Sequence, residues 1–176
     1  VTQINGEWAL IIENREGKTL EEMMKVDRAN LEKYMSDFVD LQLQVQSKTA
    51  ATLPKLKDKL ASEIKSLKAL DATERYELLT RLESMPKHTK LCHGDFNPSN
   101  VIVEKNGKMT VIDWSHASQG NASADAAMTY LLFALHDQEK ADIYLKLFCK
   151  KSDTARQYVE QWLPIVAAAE LEKDIR

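Results

Sequence analysis

The chain has 176 residues, of which 44% are hydrophobic, and its 24 Lys and Arg against 27 Asp and Glu give a net charge of −3. This length suffices for one packed core, and the absence of a basic cluster argues against nucleic-acid binding. No apolar run approaches the ~18 residues of a membrane-spanning helix, and no signal peptide is visible. Cys92 and Cys149 lack metal-type spacing, so we expect reduced thiols and a cytoplasmic protein.

The first predicted element is an apolar run at residues 8–13, which we interpret as a buried strand. A polar, turn-like break that ends in Gly17 follows it. Thr19, with Glu22 three residues later, has the pattern of a capping box. A short helix should therefore begin at Thr19.

Residues 28–86 have a helical pattern. Apolar residues recur at three- and four-residue steps through residues 31–45 and predict one amphipathic helix. A second helix should begin after Pro54, and a third should be capped near Asp71 or Thr73. We interpret the apolar stripes as core and the lysine-rich face of the second helix as solvated surface.

The densest polar pattern is LCHGDFNPSN, residues 91–100. It contains a carboxylate, Asp95, and an amide, Asn100, five residues later. Gly94 indicates a backbone position where a side chain would obstruct, and Pro98 stiffens the loop.

A β-hairpin should follow this loop. Residues 101–103 and 109–112 are β-branched and apolar, and Asn106-Gly107 between them is a strong turn signal. The hairpin would return Asp113 to the neighbourhood of Asn100. Two carboxylates and an amide carbonyl in one place make an oxygen-rich site, which suits Mg²⁺ better than Zn²⁺.

H-G-D-x-x-x-x-N followed by I-D-W resembles the catalytic loop and metal-binding segment of the aminoglycoside phosphotransferase and choline kinase families, relatives of protein kinases. The separations of Asp95, Asn100 and Asp113 are those of the kinase pattern H-R-D-x-x-x-x-N and D-F-G. Gly94 stands in place of the arginine and Trp114 in place of the phenylalanine.

The resemblance continues through Asp125 to residues 129–132. It implies a mostly helical α+β chain, the C-terminal lobe of a protein-kinase-like fold with a small β-hairpin. Beyond residue 135, apolar spacing predicts two more packed helices, with Pro164 kinking or starting a segment. The predicted segments are a hinge-like strand and linker (1–18), a helical subdomain (19–90), the catalytic loop, hairpin and following helix (91–135), and C-terminal helices (136–176).

The resemblance also implies roles for single residues. Asp95 is the expected catalytic base, or at least the group that orients the acceptor hydroxyl, and Asn100 and Asp113 are the expected Mg²⁺ ligands. His93 is expected to steady the loop rather than to transfer protons. Asp125 would accept hydrogen bonds from the catalytic-loop backbone, although a helix N-cap or first-turn acid explains the same residue, and both can hold.

Glu13, Asn14 and Arg15 match the hinge of such kinases, where backbone groups meet the adenine of ATP. An edge strand that caps a helical domain explains these residues as well. A kinase also needs a glycine-rich loop over the phosphates, and no two of the five glycines form G-x-G. We therefore expect the N-terminal lobe to lie outside this chain. The isolated chain should then bind Mg-ATP weakly, transfer no phosphate, and self-associate through the face left by the missing lobe.

The function implied is ATP-dependent transfer of the γ-phosphate to a hydroxyl of a small molecule, with no nucleic-acid or membrane partner. The alternative is a non-catalytic binding or regulatory module derived from such a kinase. A metal-dependent hydrolase is disfavoured because nothing in the sequence supplies a second cluster of metal ligands. The acceptor stays open, since similar lobes handle aminoglycosides, choline, sugars and amino-acid alcohols.

Overall fold

A computed structural model of the protein describes residues 2–9 and 13–174. The described strands are β1 (Thr2–Ile4), β2 (Glu7–Ala9), β3 (Lys18–Thr19), β4 (Lys90–Cys92), β5 (Val101–Val103), β6 (Met109–Val111) and β7 (Ser118–Gly120). The described helices are α1 (Leu20–Val26), α2 (Leu31–Gln46), α3 (Leu56–Ser66), α4 (Ala72–Ser84), α5 (Ala122–Ala134), α6 (Gln138–Ser152), α7 (Arg156–Glu160) and α8 (Leu163–Asp174). The chain is thus a mostly helical α+β protein, as the sequence predicts.

The strands form three small antiparallel sheets, in the orders β1-β2, β3-β5-β6 and β4-β7. β1 and β2 are joined at Asn5-Gly6, where both residues have positive φ, as a type I′ hairpin turn requires. The sequence-based prediction was wrong in making the strand at residues 8–13 the first element, because β1 precedes it. A three-residue strand is too short to show a period in the sequence. Of the predicted strand, residues 10–12 lie outside the described residues.

The helix starts predicted at Thr19 and near Asp71 are confirmed by their caps, and α3 begins at Leu56, after Pro54 as predicted, without a side-chain cap. At α1, the Glu22 N–H donates to Thr19 Oγ1 at 3.1 Å, and the Thr19 N–H donates to Glu22 Oε2 at 2.8 Å. At α4, the cap is Asp71, which accepts hydrogen bonds from the N–H groups of Thr73 and Glu74. The choice between Asp71 and Thr73 is therefore settled by a second capping box.

The buried face of α2 carries the apolar stripe that the sequence predicts, with Met35, Phe38 and Val39 fully buried. Two glutamines, Gln42 and Gln46, continue the same face and are buried as well. Sequence reasoning missed both, because a glutamine at the edge of a stripe is usually a surface residue. α2 packs against α6, and α5 packs against α6 and α8, so these four helices enclose most of the core.

The C-terminal part contains three helices where the sequence predicted two. α6 ends at Ser152. The next residue, Asp153, has a left-handed φ of 52°, and α7 is a single short helix between α6 and α8. Pro164 is the second residue of α8, a position that needs no backbone N–H, so it starts a helix rather than kinking one. Trp162, between α7 and α8, is fully buried. Among the described helices, none combines the length and apolar character that crossing a bilayer demands.

Candidate active site

The loop that carries the predicted catalytic residues begins at His93, directly after β4. This histidine is fully buried, and its Nε2 lies 3.0 Å from the carbonyl oxygen of Ile112. Nε2 must therefore carry the ring proton, because a carbonyl oxygen can only accept. Nδ1 then accepts a hydrogen bond from the Asp95 N–H at 3.3 Å. Both ring nitrogens bind backbone, which favours the loop-steadying role over proton transfer.

Asp95 lies between two side-chain amides of its own loop. Asn97 Nδ2 donates to Oδ1 at 2.9 Å, and Asn100 Nδ2 donates to Oδ2 at 2.8 Å. Asn100 Nδ2 also donates to the Asp95 carbonyl at 3.0 Å. The carboxylate plane is thus held in one orientation, and each oxygen keeps a lone pair for a further donor. Asn97 is a residue that sequence reasoning missed, although an asparagine two residues after an aspartate and before a proline is a local turn signal.

The predicted hairpin is confirmed and brings Asn100 close to Asp113. β5 pairs with β6 in the register Val101↔Val111, and the Ile112 N–H donates to the Asn100 carbonyl at 2.9 Å. Gly107, in the connecting turn, has a φ of 83° and donates to the Glu104 carbonyl at 2.9 Å.

Asp113 has a left-handed backbone, with φ 56° and ψ 68°, and its side chain is exposed. The Ser115 hydroxyl donates to Asp113 Oδ1 at 2.7 Å. This hydrogen bond, followed by that of the Ser115 N–H, lowers the pKa of the Asp113 carboxyl below its ordinary value. Asp113 is consequently ionised at neutral pH.

The donor atoms of this corner fit Mg²⁺. Within residues 2–9 and 13–174, Asn100 Oδ1 and Asp113 Oδ2 accept no hydrogen bond, so one oxygen of each side chain is available as a ligand. The same ranges contain no cluster of three or more His, Cys, Asp or Glu residues with metal-binding geometry. Mg²⁺ commonly takes only one or two protein ligands and completes its shell with phosphate oxygens and water.

Asp125 lies in the first turn of α5 and is only 2% exposed. The helix is capped by Asn121, and Asp125 Oδ1 accepts a hydrogen bond from the Gly94 N–H at 2.8 Å. Gly94 has a φ of 81°, and a Cβ there would lie 2.7 Å from the His116 carbonyl oxygen. The glycine is therefore required both by its φ and by the close approach of His116, as its position in the motif predicts. Asp125 has the geometry of a first-turn acid and of a support for the loop.

Glu13, Asn14 and Arg15 lie elsewhere on the surface. Arg15 binds Glu13 at 2.6 Å and is 3.7 Å from Glu104. Because β3 pairs with β5 as Lys18↔Val103, this segment runs toward the turn end of the hairpin. Asn100 and Asp113 lie at the opposite end. Among the hydrogen bonds of the described residues, none joins the 13–15 segment to the loop around Asp95.

A family model described as the phosphotransferase enzyme family matches residues 8–160 of the chain. The chain belongs to this phosphotransferase family. By sequence alone, no curated protein matches it.

Solved structures show the same fold. A thermostable mutant of aminoglycoside phosphotransferase APH(4)-Ia superposes with a TM-score of 0.64 at 18% identity, over 92% of this chain and 63% of that one. Choline kinase LicA from Streptococcus pneumoniae superposes with a TM-score of 0.58 at 16% identity, over 83% of this chain and 57% of that one. This chain therefore has a kinase-like fold, as the resemblance in its sequence predicts. It spans about three fifths of the length of these neighbours.

Proposed function

We propose that this phosphotransferase-family chain is the C-terminal lobe of an enzyme that moves the γ-phosphate of ATP to a hydroxyl group of a small molecule. The observation that carries this proposal is the orientation of Asp95. Its carboxylate is held between the amides of Asn97 and Asn100, while Asn100 and Asp113 offer free oxygens beside it. Phosphoryl transfer needs positioning and charge neutralisation more than covalent help, and this corner is built for positioning.

In this proposal, Asp95 accepts a hydrogen bond from the acceptor hydroxyl, orients its oxygen toward the phosphorus and takes up its proton. Asn100 Oδ1 and Asp113 Oδ2 hold Mg²⁺ at the end of the hairpin. The metal, when bound, neutralises charge on the nucleotide phosphates. His93 and Asp125 hold the loop backbone through the contacts with Ile112 and Gly94.

The hairpin suggests how ATP would lie. The 13–15 segment is near the turn end, whereas Asn100 and Asp113 are near the other end, and three residues of strand separate the two ends by roughly 10 Å. A nucleotide whose adenine meets the backbone at residues 13–15 would therefore extend its phosphates along the hairpin toward Asn100. APH(4)-Ia has been solved in a ternary complex with AMP-PNP and hygromycin B, a structure that superposes on this chain with a TM-score of 0.61.

The test uses Asp113→Asn in the full protein that carries this chain. Asparagine tolerates the left-handed φ and keeps an acceptor for Ser115, but it lacks the charge that a metal ligand needs. We expect Mg²⁺-dependent ADP release, measured with aminoglycosides, choline, sugars and amino-acid alcohols as acceptors, to be lost while circular dichroism is unchanged.

Asp153→Asn is the matched control, because Asp153 is also an exposed aspartate with a left-handed φ, 52°. It should keep wild-type turnover. Wild-type turnover by a folded Asp113→Asn protein would remove Asp113 from the metal site. Mg-ATP binding by the wild type without ADP release for any acceptor would instead favour the alternative, a binding or regulatory module.

We also propose that the 176-residue polypeptide by itself binds Mg-ATP weakly and transfers no phosphate. The reason is that its sequence contains no glycine-rich loop to cover the phosphates. The measurements should be made under reducing conditions, which keep Cys92 and Cys149 as thiols, as in the cytoplasm. Calorimetric titration and sedimentation should show weak binding and self-association. Micromolar binding with acceptor-dependent turnover would contradict this.

A further inference from the structure

We propose that three side chains to which the motif assigns no role, Gln42, Thr129 and Tyr144, are positioning residues that hold the catalytic loop around Asp95 from the protein interior. The inference rests on the proposed function for its effect on rate, and on the described contacts for its effect on the loop. The three residues lie on α2, α5 and α6, respectively, and all three are buried.

The loop backbone is bound on both sides of Asp95. On one side, the Gly94 N–H donates to Asp125 Oδ1 at 2.8 Å. On the other side, the Thr129 hydroxyl donates to the Phe96 carbonyl at 2.8 Å. The Asp125 carboxylate and the Thr129 hydroxyl come from successive turns of α5. One rigid helix therefore fixes the residues before and after Asp95.

Gln42 connects these two contacts. Its Nε2 lies 3.2 Å from Thr129 Oγ1 and 3.5 Å from Asp125 Oδ2. The Thr129 hydroxyl lies 2.8 Å from the Phe96 carbonyl and 3.2 Å from the Asp125 carbonyl. Its single proton serves a carbonyl acceptor, of which that of Phe96 is the nearer, so toward Gln42 the hydroxyl acts as acceptor. The amide donor of Gln42 thus occupies a lone pair of the Thr129 oxygen and leaves the hydroxyl proton for the loop carbonyl.

Tyr144 determines which way the Gln42 amide is turned. A tyrosine hydroxyl donates to Gln42 Oε1 at 2.6 Å, and this leaves Nε2 to face Thr129 and Asp125. A series of hydrogen bonds then runs from Tyr144 through Gln42 and Thr129 to the Phe96 carbonyl. Such a chain in a buried site is stronger than the same bonds in water, and removal of one polar atom interrupts it.

The Gln46 amide is oriented so that it donates to Asp125, although its own carbonyl oxygen then accepts no hydrogen bond from the described residues. Its Nε2 donates to Asp125 Oδ2 at 3.0 Å and to the Ala122 carbonyl at 3.2 Å. Its Oε1 is buried and has no partner among the described residues. Turning the amide over would give Oε1 a new environment but would place it against the Asp125 carboxylate. The orientation that supports Asp125, and through it Gly94, is the one adopted.

The test compares variants that remove single polar atoms while preserving shape. Thr129→Val deletes the hydroxyl, and Thr129→Ser retains it as a rescue. Gln42→Leu removes the central amide, and Gln44→Leu is its matched control, since Gln44 is an exposed glutamine on the same helix. The first readout is amide hydrogen exchange of residues 93–97 compared with that of residues 72–84 in α4, with Mg-ATP absent.

We expect Thr129→Val and Gln42→Leu to speed exchange at residues 93–97 by about tenfold or more, with residues 72–84 unchanged. In the full protein, kcat for Mg²⁺-dependent ADP release should fall by about 10- to 100-fold because the loop is displaced. The KM for Mg-ATP should change by less than about twofold. Thr129→Ser and Gln44→Leu should resemble the wild type.

Unchanged exchange at residues 93–97 in both variants would overturn the inference, as would an equal rise at residues 72–84. Loss of kcat in Gln44→Leu or failure of Thr129→Ser to restore it would also overturn it. If the wild type releases no ADP, the proposed function fails, while the exchange comparison still decides whether these residues hold the loop.

Discussion

Two regions that the sequence assigns to one site are held in different ways. The loop around Asp95 is bound by buried or partly buried partners: His93 to Ile112, Gly94 to Asp125, and Asp95 itself to two amides, at 2.8–3.0 Å. The 13–15 segment is held by ion pairs at the surface, and the Glu13 side chain is 71% exposed. Exposed ion pairs contribute only about 0–1 kcal/mol. The part of the chain to which we assign phosphoryl transfer is thus preorganised, and the part expected to meet adenine is not.

Packing beside the loop increases this difference. Phe96, next to Asp95, is 1% exposed, and its ring lies 4.6 Å from that of Phe38 on α2. The His93 ring contacts the Phe96 ring at a centroid distance of 5.7 Å. The residues on either side of Asp95 therefore extend into the core, and the carboxylate stays partly accessible between them.

The largest effect should come from Asp95→Asn. If Asp95 orients the acceptor hydroxyl and takes its proton, turnover should fall by roughly 10²–10⁴-fold with little change in Mg-ATP affinity. The new amide group would also face the donor of Asn97 or Asn100, which disturbs the orientation further. Steady-state kinetics and calorimetry in the full protein measure both quantities. An equal loss of nucleotide binding and rate would point to a folding role.

Gly94→Ala should be the most destabilising change in the loop, and Gly107→Ala is its matched control. Both glycines have a positive φ near 80°, at 81° and 83°, so both variants should lose about 1–2 kcal/mol of unfolding free energy. Only at Gly94 does the added Cβ meet another group, the His116 carbonyl. We expect a further loss of at least about 1 kcal/mol there, by urea denaturation. Equal losses of unfolding free energy in the two variants would mean that the loop at Gly94 accommodates the added methyl group as readily as the exposed turn at Gly107.

A smaller effect is expected at Thr19, where the exposed segment joins α1. Thr19→Ala removes the hydroxyl of the capping box and should destabilise the protein by about 1 kcal/mol. Thr80→Ala, on the exposed side of α4, should be nearly neutral. Thermal unfolding of both variants checks this. If Thr19→Ala leaves the stability unchanged, the loosely held region extends past residue 19.

The smallest effect should be that of Arg15→Ala. Removing both of its ion pairs, with Glu13 and Glu104, should cost no more than about 0.5 kcal/mol, and less at high salt. Mg-ATP affinity should change little, because the expected adenine contacts are made by backbone groups. A loss greater than that of Thr19→Ala would break the contrast between the two regions.

Local signals in the sequence predicted the fold well wherever neighbouring residues decide the structure. The caps at Thr19 and Asp71, the stripe of α2 and the turn at Asn106-Gly107 are all confirmed. The strand at residues 2–4 and the division between α7 and α8 were missed, because elements of three to five residues are too short for a period to be visible. The catalytic and metal roles of Asp95, Asn100 and Asp113 stay predictions, although their proximity follows from the hairpin.

The sequence by itself determined the helices, the hairpin and the family motif, because each depends on residues fewer than about 20 positions apart and on periodicities that a chain shows before it folds. Only the tertiary structure decided what holds the loop around Asp95. Gln42 is 83 residues from Asp125, 87 from Thr129 and 102 from Tyr144. No local pattern distinguishes such a buried glutamine from a surface one. Its hydrogen-bond partners are brought to it only when α2, α5 and α6 pack together and exclude water from the space between them.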